Sequence, residues 1–176
     1  MIDRPGMTIE WLDIVDATNR VVGRAPRDVV HREGLLHRSV HMLLLDSRGH
    51  VFVQRRAPDK DTNPDLWDTS AAGHVDSGEC ARDAARRELQ EELGIDVELD
   101  DLIWTGQLRP MASNGHEFVE IYRVVSDQPL TLQASEIADG KWLSPTALNE
   151  WLQHQPAVFT AIFHDVWASA RPVDSV

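Results

Sequence analysis

The pattern of apolar and polar positions along the chain predicts strands that alternate with helices. Two short strands are expected over residues 10–16 and 20–24, with an Ala-Thr-Asn turn between them. Pro26 then opens a short helix that ends near Arg32, because proline is well tolerated at the first position of a helix. The first part of the chain is therefore expected to form a hairpin and a helix.

The next apolar segments predict the centre of a sheet. Residues 41–45 and 51–55 indicate paired strands, because a turn-forming Asp-Ser-Arg-Gly segment joins them. Apolar runs at 99–108 and 117–125, separated by Ser-Asn-Gly, predict a hairpin. Helices are expected from Ser144-Pro145 to Leu152 and over 158–168. Strands on both sides of helices predict an α/β protein built as a mixed sandwich.

A longer helix is expected over residues 78–93. Asp76 is a good N-cap residue with Glu79 placed to complete a capping box, and Gly94 is suited to end the helix. Three glutamates of this helix lie within about 100° of one another at 100° per residue, on the face that also carries its alanines. They are Glu88, Glu91 and Glu92.

These three carboxylates repel one another unless a cation or a proton intervenes. A hard ion that prefers oxygen ligands, Mg²⁺ or Mn²⁺, is the natural counterion. A solvated acidic face is the alternative, since most runs of like charge are simply wet. The presence of Gly73, Glu79 and Arg87 at fixed spacings from the cluster favours a functional site.

Composition restricts the partners of the chain. Its 176 residues suit one domain, and a net charge of −12 argues against long nucleic acids as partners. No run of about eighteen apolar residues and no signal peptide are seen, so no membrane association is expected and a cytoplasmic location is predicted. The single cysteine, Cys80, excludes an intramolecular disulfide. An anionic substrate would need divalent cations to bind near the glutamates.

The segment from residue 73 to 95 resembles the Nudix box, the motif of the Nudix hydrolase family. The matching positions are Gly73, Glu79, Arg87, Glu88, Leu89, Glu91, Glu92, Gly94 and Ile95. The resemblance implies the Nudix-type mixed α/β/α sandwich, in which this loop and helix form the catalytic element. It also implies a metal-dependent pyrophosphohydrolase, in which a metal-activated water attacks a phosphorus atom of a diphosphate.

The same resemblance implies roles for the box residues. Glu88 and Glu92 correspond to the principal metal ligands. Glu91 corresponds to a further ligand or to the catalytic base, and Gly73 offers its backbone carbonyl.

Three further positions follow from this resemblance. Arg87 and Glu79 correspond to a supporting salt bridge, and Arg87 counts among the expected catalytic residues. Many members of the family also take a carboxylate from a strand downstream of the box. Glu120 fits that placement better than Glu117, and because the two lie three residues apart on a strand, only one can face the cleft.

Outside the box, the chain is similar to a subgroup related to isopentenyl diphosphate isomerase. The similarity is carried by Leu36-His37-Arg38, Val53-Gln54-Arg55-Arg56-Ala57, Lys60, Leu66-Trp67 and Gly73-His74. The isomerase requires a cysteine just before the Gly-His pair, where this chain has Ala71-Ala72. Isomerisation is therefore not expected. His37 and His74 match metal-binding positions of the isomerase, and whether they are functional or structural is left open.

Candidate substrate-binding residues lie on and after the second central strand. Arg55 and Arg56 alternate on this strand, so one of them is expected to face the site, where guanidinium groups suit phosphate oxygens. Lys60 is a third candidate. Trp67 or Trp104 could stack on a base.

The leading expectation is hydrolysis of nucleoside di- or triphosphates, or of a nucleoside diphosphate linked to another group. An isoprenoid diphosphate hydrolase or isomerase-like enzyme and a catalytically weak Nudix-fold binding module are the alternatives. The whole chain, 1–176, is expected to be one domain. It consists of N-terminal strands and a short helix (1–36), the core (37–152) and a C-terminal helix (153–176). The oligomeric state is not predicted.

Overall fold

A computed structural model describes residues 9–170 of the chain. Residues 1–8 and 171–176, which belong to the expected N-terminal and C-terminal segments, lie outside the described residues. The strands are β1 Trp11–Val15, β2 Val21–Pro26, β3 His37–Leu45, β4 Val51–Arg56, β5 Trp67–Asp68, β6 Ala71–His74, β7 Ile103–Leu108, β8 Glu117–Val125 and β9 Ile137–Leu143. The helices are α1 Arg27–Glu33, α2 Ala81–Leu93, α3 Pro145–His154 and α4 Ala161–Ala170, and three short 3₁₀ turns lie between them.

The strands form two sheets. β1 and β2 make an antiparallel hairpin, and the other seven strands make a mixed sheet with the order β5-β4-β3-β8-β7. β3 and β8 are parallel, whereas the other pairs of this sheet are antiparallel. β3 pairs with β4 only where Leu45 meets Val51, and beyond that point β6 pairs with β3 and β9 pairs with β4. This separation opens the sheet beside β6.

The large sheet lies between two layers of helices. On one face, Val40 and Met42 of β3 pack against Ala84, Ala85 and Leu89 of α2. The alternate residues of β3 face the opposite way, because side chains alternate across a strand. These residues, Leu43 and Leu45, pack in a second core with α3 and α4 through Leu148, Phe163 and Val166. The α/β/α sandwich expected from the sequence is confirmed.

The boundary of α2 differs from the sequence-based expectation. The helix begins at Ala81 with Cys80 as its N-cap residue, and not at residue 78. Gly78 has φ +84° and so belongs to the preceding loop. Glu79 accepts a hydrogen bond from the backbone N–H of Asp76 at 3.1 Å, which is one half of a capping box, but the bond closes the loop and not the helix. Gly94 ends the helix in the left-handed conformation, as expected.

The strands β5, β6 and β9 are additions to the expected set. The first two have only two and four residues, too short for a periodic signal. Within the described residues, no helix is long and apolar enough to cross a membrane.

Candidate active site

The close approach of α2 to β6 brings two box residues, Gly73 and Glu88, together. A Cβ atom at Gly73 would overlap with the carboxylate of Glu88. Only glycine therefore leaves room for this carboxylate against the backbone of β6. The Glu88 side chain is 13% exposed, and its burial raises its pKa to about 7 against the opposing effect of Arg87.

Glu92 lies one helical turn further along and is still more buried. It is 6% exposed, and one of its carboxylate oxygens accepts hydrogen bonds from Gln54 Nε2 at 3.0 Å and from the Ala72 N–H at 3.3 Å. Burial, followed by the charge of Glu88, raises the pKa of Glu92 to about 8. Two neighbouring carboxylates are thus held where their negative charge is unfavourable without a cation.

Arg87 connects α2 to the loop between β6 and α2. Its guanidinium donates to both oxygens of Glu79, at 3.0 and 2.9 Å, and to the backbone carbonyl of His74 at 3.0 Å. The same guanidinium donates to Glu88 at 2.6 Å and to Glu91 at 3.4 Å. The bidentate pair with Glu79 fixes the loop, because two parallel bonds define both distance and orientation. The Glu91 side chain is 59% exposed and faces the solvent side of the site.

The donor chemistry of this cluster fits a hard divalent cation. Glu88 and Glu92 offer carboxylate oxygens, Glu91 offers a third, and Gly73 of β6 lies against the Glu88 carboxylate. Oxygen ligands of this kind suit Mg²⁺ or Mn²⁺. The burial of Glu92 and the partial burial of Glu88 support the same conclusion, because a cation would offset the cost of keeping both ionised.

The carboxylate of Glu120 is hydrogen-bonded to residues other than those of the box. It lies on β8 in register with Val40 of β3 and Gln107 of β7. Its two oxygens accept hydrogen bonds from Trp104 Nε1 at 2.6 Å and from Gln107 Nε2. Within the described part of the chain, its hydrogen bonds therefore run to β7 and not to the box.

Two of the candidate phosphate-binding residues have acidic or carbonyl partners away from the box. Arg56 donates to the Thr62 carbonyl at 3.1 Å and lies 3.8 Å from Asp68. Arg55 lies 3.9 Å from Asp65, and its Nε is buried without a hydrogen-bond partner. The structure does not bring either guanidinium to the box glutamates.

Within the described residues, Lys60 is linked to the site only through Glu136. Its ammonium forms an ion pair with Glu136, and the charge of Glu136 contributes to the raised pKa of Glu92. Glu136 and Gln54 are site residues that the sequence analysis did not identify. Gln54 could have been noticed in the sequence, because it is a polar residue inside an apolar strand. In the structure it is 2% exposed. Glu136 could not have been recognised from the sequence, because it precedes a strand that was not expected.

A second polar cluster joins α1, β3, β6 and β8. His31, His37, His74 and Glu117 each offer one ligand atom, and these atoms lie within 4.8 Å of one another. His31 Nε2 is 3.1 Å from His74 Nε2, and His37 Nε2 is 3.4 Å from Glu117 Oε1 without a well-aligned hydrogen bond. Glu10 closes the cluster by accepting from His74 Nδ1 at 2.8 Å. Glu117, and not Glu120, is therefore the β8 carboxylate that meets the histidines.

A proton on His74 offsets the negative charges of Glu10 and Glu117 in this histidine cluster. Burial alone would lower the pKa of His74, but its contacts with Glu10 and Glu117 raise it to about 9. Burial and the charge of His74 lower the pKa of His31 to about 4. A protonated His74 can therefore donate to a neutral His31. Three imidazole nitrogens and one carboxylate also form a donor set that suits a borderline divalent metal ion.

The chain is similar in sequence to one protein family and to several of its members. The model of the NUDIX domain matches residues 35–161. A relative from Burkholderia multivorans, named isopentenyl-diphosphate Delta-isomerase, is 34% identical over 158 residues, which cover 88% of this chain and 89% of that protein. An uncharacterised Nudix hydrolase from Nostoc is 34% identical over 145 residues, which cover 82% of this chain and 86% of the relative.

A solved structure has the same fold as this chain. A crystal structure of a Deinococcus radiodurans protein superimposes with a TM-score of 0.76 at 32% sequence identity. The match covers 92% of this chain and all of that chain.

Proposed function

Because this chain belongs to the Nudix family and is a hydrolase of diphosphate bonds, we propose that it cleaves nucleoside di- or triphosphates, or a nucleoside diphosphate linked to another group, with Mg²⁺ or Mn²⁺. The observation that carries the proposal is the pairing of the partly buried Glu88, against the backbone of Gly73, with the buried Glu92, against the backbone of Ala72. Two neighbouring carboxylates shielded from water in this way, without a basic partner for each, are costly to ionise unless a cation binds between them. The intact box supplies the rest of the ligand set.

Glu88, Glu92 and the Gly73 carbonyl would hold the cation, with Glu91 as a further ligand or as the base. When bound, a divalent cation supplies charge neutralisation for the diphosphate and a lower pKa for the attacking water. Arg87 holds the loop through Glu79 and keeps Glu88 oriented.

The reaction consumes one water. The water oxygen forms a bond to a phosphorus atom, and the bond from that phosphorus to the bridging oxygen breaks. Glu91 accepts the water proton, for which its exposed carboxylate at the solvent side of the site is suited. The bridging oxygen leaves with the departing phosphate group.

Substrate phosphates need cationic side chains as well. Lys60 is one candidate, and it would exchange its ion pair with Glu136 for a phosphate oxygen. Arg55 and Arg56 remain proposals for this role and would have to leave their present partners. Glu120 remains a proposal for a secondary base.

An isomerase-like reaction on an isoprenoid diphosphate is the second candidate, and the histidine cluster together with the Burkholderia relative favours it. The position of the required thiol holds Ala71-Ala72. The single cysteine, Cys80, is exposed at the N-terminus of α2, where its thiol donates to Asp83 at 2.9 Å. The residues present therefore favour hydrolysis.

A substrate panel tests the proposal. Product release would be measured for the full chain with nucleoside di- and triphosphates, nucleotide sugars, dinucleoside polyphosphates and prenyl diphosphates, each with Mg²⁺, with Mn²⁺ and with a chelator. We expect turnover of at least one nucleotide class that the chelator abolishes. Turnover of prenyl diphosphates alone would favour the second candidate. No turnover of any member would favour a binding module.

A further inference from the structure

The N-terminal hairpin lies outside the matched NUDIX domain, yet it is joined to the catalytic loop. Ser77 donates its N–H to the Trp11 carbonyl at 2.8 Å and its hydroxyl to Asp13 at 2.7 Å. The Gly78 N–H donates to the other Asp13 oxygen at 3.3 Å, and Leu12 forms a β-bridge with Asp76. β1 thus acts as an added strand along the loop that precedes α2.

An open cavity of about 380 Å³ lies where the hairpin meets this loop. It is lined by Ile9, Glu10, Trp11, Arg24, Asp76 and Ser77. Trp11 is 42% exposed, and the Arg24 guanidinium lies 5.4 Å from the centre of its ring. The guanidinium therefore covers one face of the Trp11 indole, and a planar ligand would stack on the opposite face.

The cavity is close to the proposed reaction centre. Asp76 is three residues from Gly73, and three residues of chain span at most about 11 Å. The Asp76 N–H donates to Glu79, which in turn binds Arg87.

We propose that this cavity binds the base of a nucleotide substrate, with the base stacked on Trp11 and the diphosphate at the box. The inference rests on the proposed function and adds a site for the part of the substrate that the box does not contact. A planar base matches a single exposed indole with polar groups around it, because the ring stacks and its edge can donate to Asp76 or Glu10. An isoprenoid chain would need an apolar pocket, whereas four of the six lining residues are polar or charged.

Binding of analogues that are not hydrolysed tests this site separately from catalysis. Calorimetry on the full chain with Mg²⁺ would compare α,β-methylene ADP and α,β-methylene UDP with methylenediphosphonate, which lacks a base. We expect Trp11→Ala to weaken both nucleotide analogues by about tenfold and to leave methylenediphosphonate unchanged. Trp11→Phe should stay within about threefold of the wild type, because it retains an aromatic face.

Val22→Ala is the matched control, since Val22 is a 65% exposed residue of the same hairpin and does not line the cavity. Equal binding by Trp11→Ala and Val22→Ala would overturn the inference. It would also be overturned if Trp11→Ala weakened methylenediphosphonate as much as the nucleotides, or if the wild type bound neither nucleotide analogue. Base-dependent binding without any hydrolysis in the panel would instead contradict the proposed reaction and leave the site standing.

Discussion

Gly73 carries no side chain at the point where the Glu88 carboxylate packs against β6. This contact links the identity of one residue to the position of a proposed metal ligand. The helical phase of α2 was enough to predict that Glu88 and Glu92 share a face. It did not predict how deeply Glu92 is buried, because its partners Gln54 and Ala72 come from other strands.

Gly73→Ala should displace Glu88. The free energy of unfolding should change little, because the atoms that must move are the far end of the flexible Glu88 side chain. Turnover should fall by about a hundredfold, since a displacement of about 1 Å in a catalytic group has an effect of that size. Denaturant unfolding and steady-state kinetics would measure the two effects.

Gly106→Ala is the control for this change, because an added Cβ on β7 meets nothing within 4 Å. Its turnover should match the wild type. A Gly73→Ala protein with wild-type turnover would show that the Glu88 position is unimportant.

At the scale of elements, the sequence analysis identified the strands with apolar runs and the helices with clear ends. It missed β9, in which Asp139, Gly140 and Lys141 interrupt the apolar pattern. Lys141 is accommodated by tertiary contacts that no local pattern reveals, since its ammonium lies 4.9 Å from the ring centres of both Trp67 and Trp151. The histidine cluster was foreseen only in part: the resemblance pointed to His37 and His74, whereas His31 and Glu117 join them from other elements.

The histidine cluster predicts a second, chemically distinct metal position. His31→Gln removes one of the four candidate ligand atoms from α1, which lies at the edge of the fold. After incubation with Mn²⁺ or Zn²⁺ and desalting, elemental analysis should show about one ion fewer per chain than in the wild type. His154→Gln, at the exposed end of α3, is the control and should match the wild type. Equal metal content in His31→Gln and the wild type would show that the cluster is structural.

At the scale of the whole molecule, a buried neutral histidine couples stability to pH. His41 is 5% exposed, shares a 2.8 Å hydrogen bond with Thr69, and its burial lowers its pKa below 6.5. The unfolded chain therefore binds a proton below pH 6.5 that the folded chain does not. The contribution of the neutral His41 to the free energy of unfolding is present above pH 6.5. It is lost as the pH falls, by at most about 1.4 kcal/mol per pH unit.

His41→Gln should weaken this pH dependence, because glutamine does not titrate. Free energies of unfolding would be measured by denaturant titration at pH 5 and pH 7.5 for both proteins. The difference between the two pH values should be smaller in the variant. An unchanged difference would mean that other groups account for the acid sensitivity.

The central claim is that the carboxylate cluster on α2 binds the ion that hydrolysis requires. The most direct test is the rate of Glu92→Gln with Mg²⁺ on the best substrate of the panel, with exposed Glu98→Gln as the control. The variant should keep its fold, because glutamine can still accept the hydrogen bonds from Gln54 and Ala72. Its turnover should fall by at least about a hundredfold. A folded Glu92→Gln protein with the wild-type rate would contradict the account.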